Sequence, residues 1–194
     1  MTPAGSGPAP PEFLRALRSL RDVQLRPEIR LEEVPGPARI APWTAALTAE
    51  VRASRRDPDA IELASGRFVV LHDPEGQEAW HGTFRLVTLV RATLEPEVGA
   101  DPMLAEVAWS WFADALASAG LDAHAAGGTV TRVLSQSFGA LDERPEQVEL
   151  EVRASWTARD EDLGPHLRAW GTLLCTTAGL PPLPAGVVPL PRRR

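Results

Sequence analysis

The stretch QVELEVRASW, Gln147 to Trp156, constrains the fold more tightly than any other part of the chain. Val148, Leu150, Val152, Ala154 and Trp156 fall on one side of an extended backbone, and Glu149, Glu151, Arg153 and Ser155 fall on the other. Strict alternation of this kind describes a strand with one dry face and one wet face. A strand inside an all-parallel sheet is buried on both faces, so the pattern calls for an antiparallel sheet covered on one side only.

The rest of the chain supplies the other strands and the cover. WTAALTAEVRAS, residues 43–54, places Ala45, Leu47, Ala49, Val51 and Ala53 on one face and reads as a strand, with a helix as the competing reading. IELASGRFVVLH and TFRLVTLVRATLE read as two strands of a hairpin, and GTVTRVLSQSF as another strand. PEFLRALRSLRDV is a one-faced helix through Phe13, Ala16, Leu17 and Leu20. DPMLAEVAWSWFADALASAG carries a stripe of Leu104, Val107, Ala108, Trp111, Phe112, Ala115 and Leu116, with Asp101 as cap, Pro102 at the first position and Gly120 as stop. DLGPHLRAWGTLLCTTAG presents Leu163, Leu167, Trp170 and Leu174. The segment after the first helix is cut by Pro27, Pro35, Pro37 and Pro42, which leaves a short extended piece from Glu28 to Val34.

The expected fold is therefore α+β, an antiparallel sheet of about five strands with helices on one face, in the order α-β-β-β-α-β-β-α. By topology alone that order resembles type III secretion chaperones, small acidic proteins that bind segments of other proteins. The expected organisation is a disordered segment over 1–10, a single domain over 11–179, and a Pro-rich, Arg-terminated tail over 180–194. A chain of 194 residues with 44% apolar side chains suits one such domain.

Charge and composition exclude several functions. All 20 basic residues are arginine, so no mechanism that needs a catalytic lysine is available. The net charge is −6, and without the terminal Arg192, Arg193 and Arg194 it is −9 (17 Arg against 26 acids), so a phosphate backbone is repelled and no nucleic-acid partner is expected. Cys175 is alone and lies in an apolar run, which fits a buried thiol in a reducing compartment. No apolar run approaches the length of a membrane helix and the N-terminus carries no leader pattern, so the expectation is a cytoplasmic protein without a membrane partner.

The densest group of reactive side chains is LHDPEGQEAWHGTF, Leu71 to Phe84. Asp73-Pro74-Glu75-Gly76 matches the preferences of a type I turn, and a hairpin turn accounts for most of the stretch. His72, Asp73, Glu78 and His81 would serve a metal or acid/base site only if they converged, and nothing in their spacing requires that. No cofactor is expected. AAGGTVTR leads into a strand rather than a helix and makes a poor phosphate loop, and no serine-hydrolase set assembles. Among the tryptophans, Trp111, Trp156 and Trp170 belong to core faces. Trp109 lies about 200° from Trp111 around its helix and Trp80 beside the turn, which makes these two candidates for a binding surface or for the edge of the core.

RPEIRLEEVPGP, VVLHDPEGQEAWHGTFRLVTLVRATLEPE, WSWF, AAGGTVTR and RASWT together resemble an actinobacterial family, the domain of unknown function 3000, from about Phe13 to the C-terminus. The resemblance implies a stable native fold in the cytoplasm and brings no catalytic residue, ligand or partner. From the residues, the expected function is non-enzymatic binding of a protein or peptide partner, with Trp80, Trp109, His72, Asp73 and His81 as candidate contacts. The alternative is a small metal-dependent or acid/base enzyme using His72, Asp73, Glu78 and His81. A homodimer is also expected, because IELASGRFVVLH would present an open edge with few charges to blunt it. The PLPR of the tail reads as a solubilising end, or as a ligand for a proline-binding module.

Overall fold

A computed structural model describes residues 4–5, 8–54 and 60–182. The elements are β1 (Ala4–Gly5), α1 (Pro11–Arg21), β2 (Ile29–Val34), β3 (Trp43–Arg52), β4 (Glu62–Gln77), β5 (Gly82–Leu94), α2 (Pro96–Gly99), α3 (Leu104–Ser118), β6 (Gly127–Ser135), β7 (Gln147–Ala158) and α4 (Gly164–Thr177). All pairings are antiparallel, and the strands run β3-β4-β5-β7-β6 across one sheet, with β1 and β2 both paired to the outer side of β3.

The sheet thus has six strands of substance, and the expectation of about five is corrected. The extra one is β2, where the stretch between the prolines pairs with β3 from Ile29 opposite Val51 to Val34 opposite Ala46. The order becomes α-β-β-β-β-α-β-β-α once single-turn and two-residue elements are set aside, so the topological likeness to secretion chaperones does not stand. Residues 43–52 form a strand, despite an alanine content that suits a helix.

The alternation of β7 sorts the two faces as its sequence requires. Leu150, Val152, Ala154 and Trp156 are buried with Phe84, Leu86 and Val90 of β5, Phe68 and Val70 of β4, and Leu47 and Val51 of β3, and α1, α3 and α4 close over this face. Phe68 lies 5.5 Å from Trp170 and 6.1 Å from Trp156, and Phe112 lies 5.3 Å from Trp156, so aromatic rings tie the sheet to both long helices. Gly66 lets α4 approach: a Cβ there would come within 2.8 Å of Leu174 and 3.0 Å of the Leu89 carbonyl oxygen. In α3 the helix begins at Leu104, after the Asp101 side chain has accepted the Met103 N–H at 2.8 Å. Val107 is turned out of the expected stripe and is 39% exposed.

The β4–β5 connection also differs from expectation. Asp73–Gly76 is no hairpin turn; it is a bulge within β4, where the register jumps from His72 opposite Phe84 to Gln77 opposite Gly82. The Asp73 carboxylate accepts the Glu75 N–H, Gly76 adopts φ 74°, and the reversal falls at Glu78–Trp80 with His81 left-handed at φ 54°. Local turn preferences were satisfied inside a strand, and the 3-10 turn that follows reverses the chain. β4 is central in the sheet, so IELASGRFVVLH presents no free edge. The edges are β6 on one side and β2 with β1 on the other.

Candidate functional site

The bulge in β4 separates the side chains of the LHDPEGQEAWHGTF cluster. His72 points to the helix side, 1% exposed, with Phe84 stacked at 4.2 Å and Phe13 at 5.6 Å. Its Nδ1 lies 3.0 Å from the Thr83 carbonyl oxygen and its Nε2 lies 3.6 Å from Glu12 Oε1, and burial pushes its pKa down. Nδ1 donates to the Thr83 carbonyl, a bond that either protonation state can make, and burial is what favours the neutral ring. His81, past the reversal, is exposed and has its ring 6.3 Å from that of His124. Asp73 is spent on its own bulge, accepting the Gln77 side-chain amide at 3.1 Å as well as the Glu75 N–H. Glu78 is exposed on the 3-10 turn. Among the described residues no three His, Cys, Asp or Glu side chains are grouped to hold a metal ion.

The two tryptophans have packing partners. Trp80 is buried on the uncovered face of the sheet with Ala46, Val69 and Leu71, a small second core roofed partly by Val34 and Ala41. Its backbone carbonyl accepts the Thr157 hydroxyl. Trp109 is partly buried between α3 and β6, 5.0 Å from Phe112. A Cβ on Gly128 would sit 2.7 Å from the Trp109 ring, so that glycine makes room for the indole.

Beyond the Trp80 cluster, no helix among the described residues covers this outer face. A shallow groove of about 400 Å³ runs over β2 to β5, lined by residues including Arg30, Thr48, Glu50, Ser65, Arg67 and Leu89. Its arginines are engaged: Arg30 pairs with Glu32 at 2.8 Å, and Arg67 donates to the Pro35 carbonyl at 3.0 Å. Beside it Arg91 and Arg153 both hold Glu151, at 2.6 Å and 2.5 Å. Ser65 has no histidine beside it on the groove wall, so the groove offers polarity without an activated nucleophile.

The β6 edge is the feature that sequence reasoning passed over. All nine residues of β6 pair with β7, no other strand among the described residues pairs with its far side, and every one is exposed except Val130, which is partly covered. Arg132 carries the strand's only charge, and its guanidinium is turned into the helix layer, where it donates to the Gly99 and Asp101 carbonyls at 2.9 Å and 2.8 Å. Val133 is 47% exposed, Leu134 55%, and in the following loop Phe138 is 78% exposed and Leu141 47%. The signal in the sequence was the nearly charge-free run GGTVTRVLS, which strand edges normally avoid.

Among the described residues no helix is long and apolar enough to cross a membrane. Neither the curated proteins nor the solved structures contain a match to this chain. The sequence model of one family, described as protein of unknown function (DUF3000), matches residues 9–188, and the chain belongs to that family.

Proposed function

We propose that the protein binds an extended segment of a partner protein by strand addition along β6. The observation that carries this is the edge itself: a nine-residue strand, paired on one side, whose single charge is engaged elsewhere. Main-chain groups of the edge would supply the hydrogen bonds, and side chains on alternate positions the selectivity. Val133 lies on the outer face, opposite Glu149, while Val130 and Leu134 lie on the helix side, opposite Val152 and Val148. The incoming segment is therefore apolar on both faces, and the net charge of −6 favours neutral or basic flanks.

A second copy of the chain paired over all nine residues is a poorer occupant. Pairing β6 with itself about its midpoint, Thr131, would set Val133 against Thr129, Leu134 against Gly128 and Val130 against Arg132. Each apolar side chain would then face a polar or absent one, where cross-strand apolar pairs are what stabilise a sheet.

Selection of displayed random peptides on the purified protein tests the proposal, with Val133→Lys as counter-selection and light scattering of the protein alone as control. The expected result is enrichment of extended sequences with apolar residues at consecutive positions, lost on Val133→Lys, from a protein whose mass in solution is near 20.9 kDa. Equal retention by Val133→Lys, or a dimer that Val133→Lys dissociates, overturns it.

A further inference from the structure

Arg85 stands on the outer face of β5, in line with Leu71 of β4 and Thr157 of β7. Its Nη1 donates to the Ala125 carbonyl at 2.8 Å and to the Thr157 hydroxyl at 3.1 Å, and its Nη2 donates to the Ser155 hydroxyl at 2.7 Å. Every one of these acceptors is neutral. Other half-buried arginines of the chain hold a carboxylate, as Arg26 holds Glu28 at 2.9 Å, but none faces Arg85 among the described residues. Desolvation accordingly lowers its pKa with no anion to offset it. A guanidinium offers five N–H donors in a rigid fork, and three hydrogen bonds leave two unspent.

Two loops bring histidines to the same corner. Thr157 shares its hydroxyl with Arg85 and with the Trp80 carbonyl, and its N–H donates to the His124 carbonyl at 2.9 Å, so the residue after Trp80 and the residue before Ala125 are held beside it. Those residues are His81 and His124, with rings 6.3 Å apart. Arg159, just past the end of β7, pairs with Asp122 at 2.7 Å and lies 3.4 Å from His124 Nδ1. The backbone pays for this arrangement: His81 and Ala125 have φ of 54° and 48°, two of the three positive-φ non-glycine residues described, and the Ala125 carbonyl is one of the acceptors of Arg85. At Gly82 a Cβ would come within 2.8 Å of Thr157, so the turn can close on that side only with glycine.

We infer that Arg85, His81 and His124 form a binding site for a phosphate-class oxyanion. The spare N–H groups of Arg85 take two of its oxygens, and each imidazole donates one N–H when neutral and two when charged. Asp122, the nearby carboxylate, is held by Arg159 and leaves the corner positive. The ligand is either free phosphate or a phosphomonoester on a small organic molecule.

The experiment is a titration of the whole protein with inorganic phosphate and, separately, with glycerol phosphate, followed by the NMR signals of the His81 and His124 rings and of Arg85 Nε–H. Sodium chloride at matched ionic strength is the control. Saturable shifts at these three residues are expected, with affinity at least about tenfold weaker in Arg85→Gln. Tighter binding of glycerol phosphate than of phosphate marks the ligand as a monoester, and the reverse as the free ion. Shifts that chloride reproduces, or that stay linear, overturn the proposal, as does unchanged affinity in a folded Arg85→Gln. If Arg85→Gln fails to fold, the surface variant His81→Asn with His124→Asn decides, and full retention of phosphate affinity there overturns the site.

Discussion

The Trp156 indole donates its N–H to His166 Nδ1 at 2.9 Å, both residues being buried between β7 and α4. An acceptor at Nδ1 means a neutral ring, and burial holds the His166 pKa down at about 4 from 6.5. In the unfolded chain the ring takes its proton near pH 6.5, while the folded chain excludes it until about pH 4. The unfolded state therefore binds more protons within that window, and stability is lost as pH falls through it, by up to about 3 kcal/mol. His72, also lowered by burial, adds in the same direction. Urea midpoints between pH 7 and pH 4.5 are expected to fall, and to fall less steeply in His166→Gln. An unchanged slope in that variant assigns the acid sensitivity elsewhere.

Some of this was legible in the sequence and some was not, for physical reasons. β7 was plain because each of its faces meets a different solvent, and α1 because Phe13, Ala16, Leu17 and Leu20 form one stripe that is buried in full. The position of β4 in the middle of the sheet depends on pairing with β3 and β5 over long separations, which periodicity does not carry. His72 and His81 looked like neighbours across a turn. The bulge at Asp73–Gly76 moved the reversal onward, leaving one histidine in the core and the other outside. Arg85 had no signal of its own, since an arginine at an outward strand position reads as a solvated charge. The His81-Gly82 pair, a left-handed residue followed by a glycine crowded against Thr157, was the one local hint.

Two adjacent glycines on β6 are expected to respond oppositely to alanine. A Cβ at Gly128 would lie 2.1 Å from the Arg153 carbonyl oxygen and 2.7 Å from the Trp109 ring, and the backbone contact cannot yield without breaking the β6–β7 ladder. Nothing lies within 4 Å of a Cβ at Gly127. Gly128→Ala should cost about 2 kcal/mol or more and Gly127→Ala less than about 0.5 kcal/mol, as measured by denaturant unfolding. Equal effects would show that Trp109 does not pack between α3 and β6.

Metal removal is expected to change nothing. His72 lies among Phe13 and Phe84 on the helix side of the sheet, His81 is exposed past the reversal, and Asp73 is engaged by Glu75 and Gln77. Thermal unfolding with a chelator, and with one equivalent of zinc, should give midpoints within about 1 °C of each other, since a ligand stabilises only the state that binds it. A zinc-dependent rise lost in His81→Ala would restore the metal reading of this stretch.

Cys175 sits near the C-terminal end of α4, 4% exposed, and burial raises its thiol pKa to about 11. Arg26 pulls that value down, but less than desolvation lifts it. The thiolate is the reactive species, so at neutral pH both its scarcity and its burial slow attack. Labelling of the native protein is expected to proceed only as fast as α4 opens, and to accelerate sharply in denaturant. Cys175→Ser should cost about 1 to 3 kcal/mol, because a hydroxyl there is buried beside apolar neighbours, and should leave peptide and phosphate binding unchanged. Native labelling as fast as that of the unfolded chain would mean that this face of α4 is open to solvent and that the cysteine is available for chemistry.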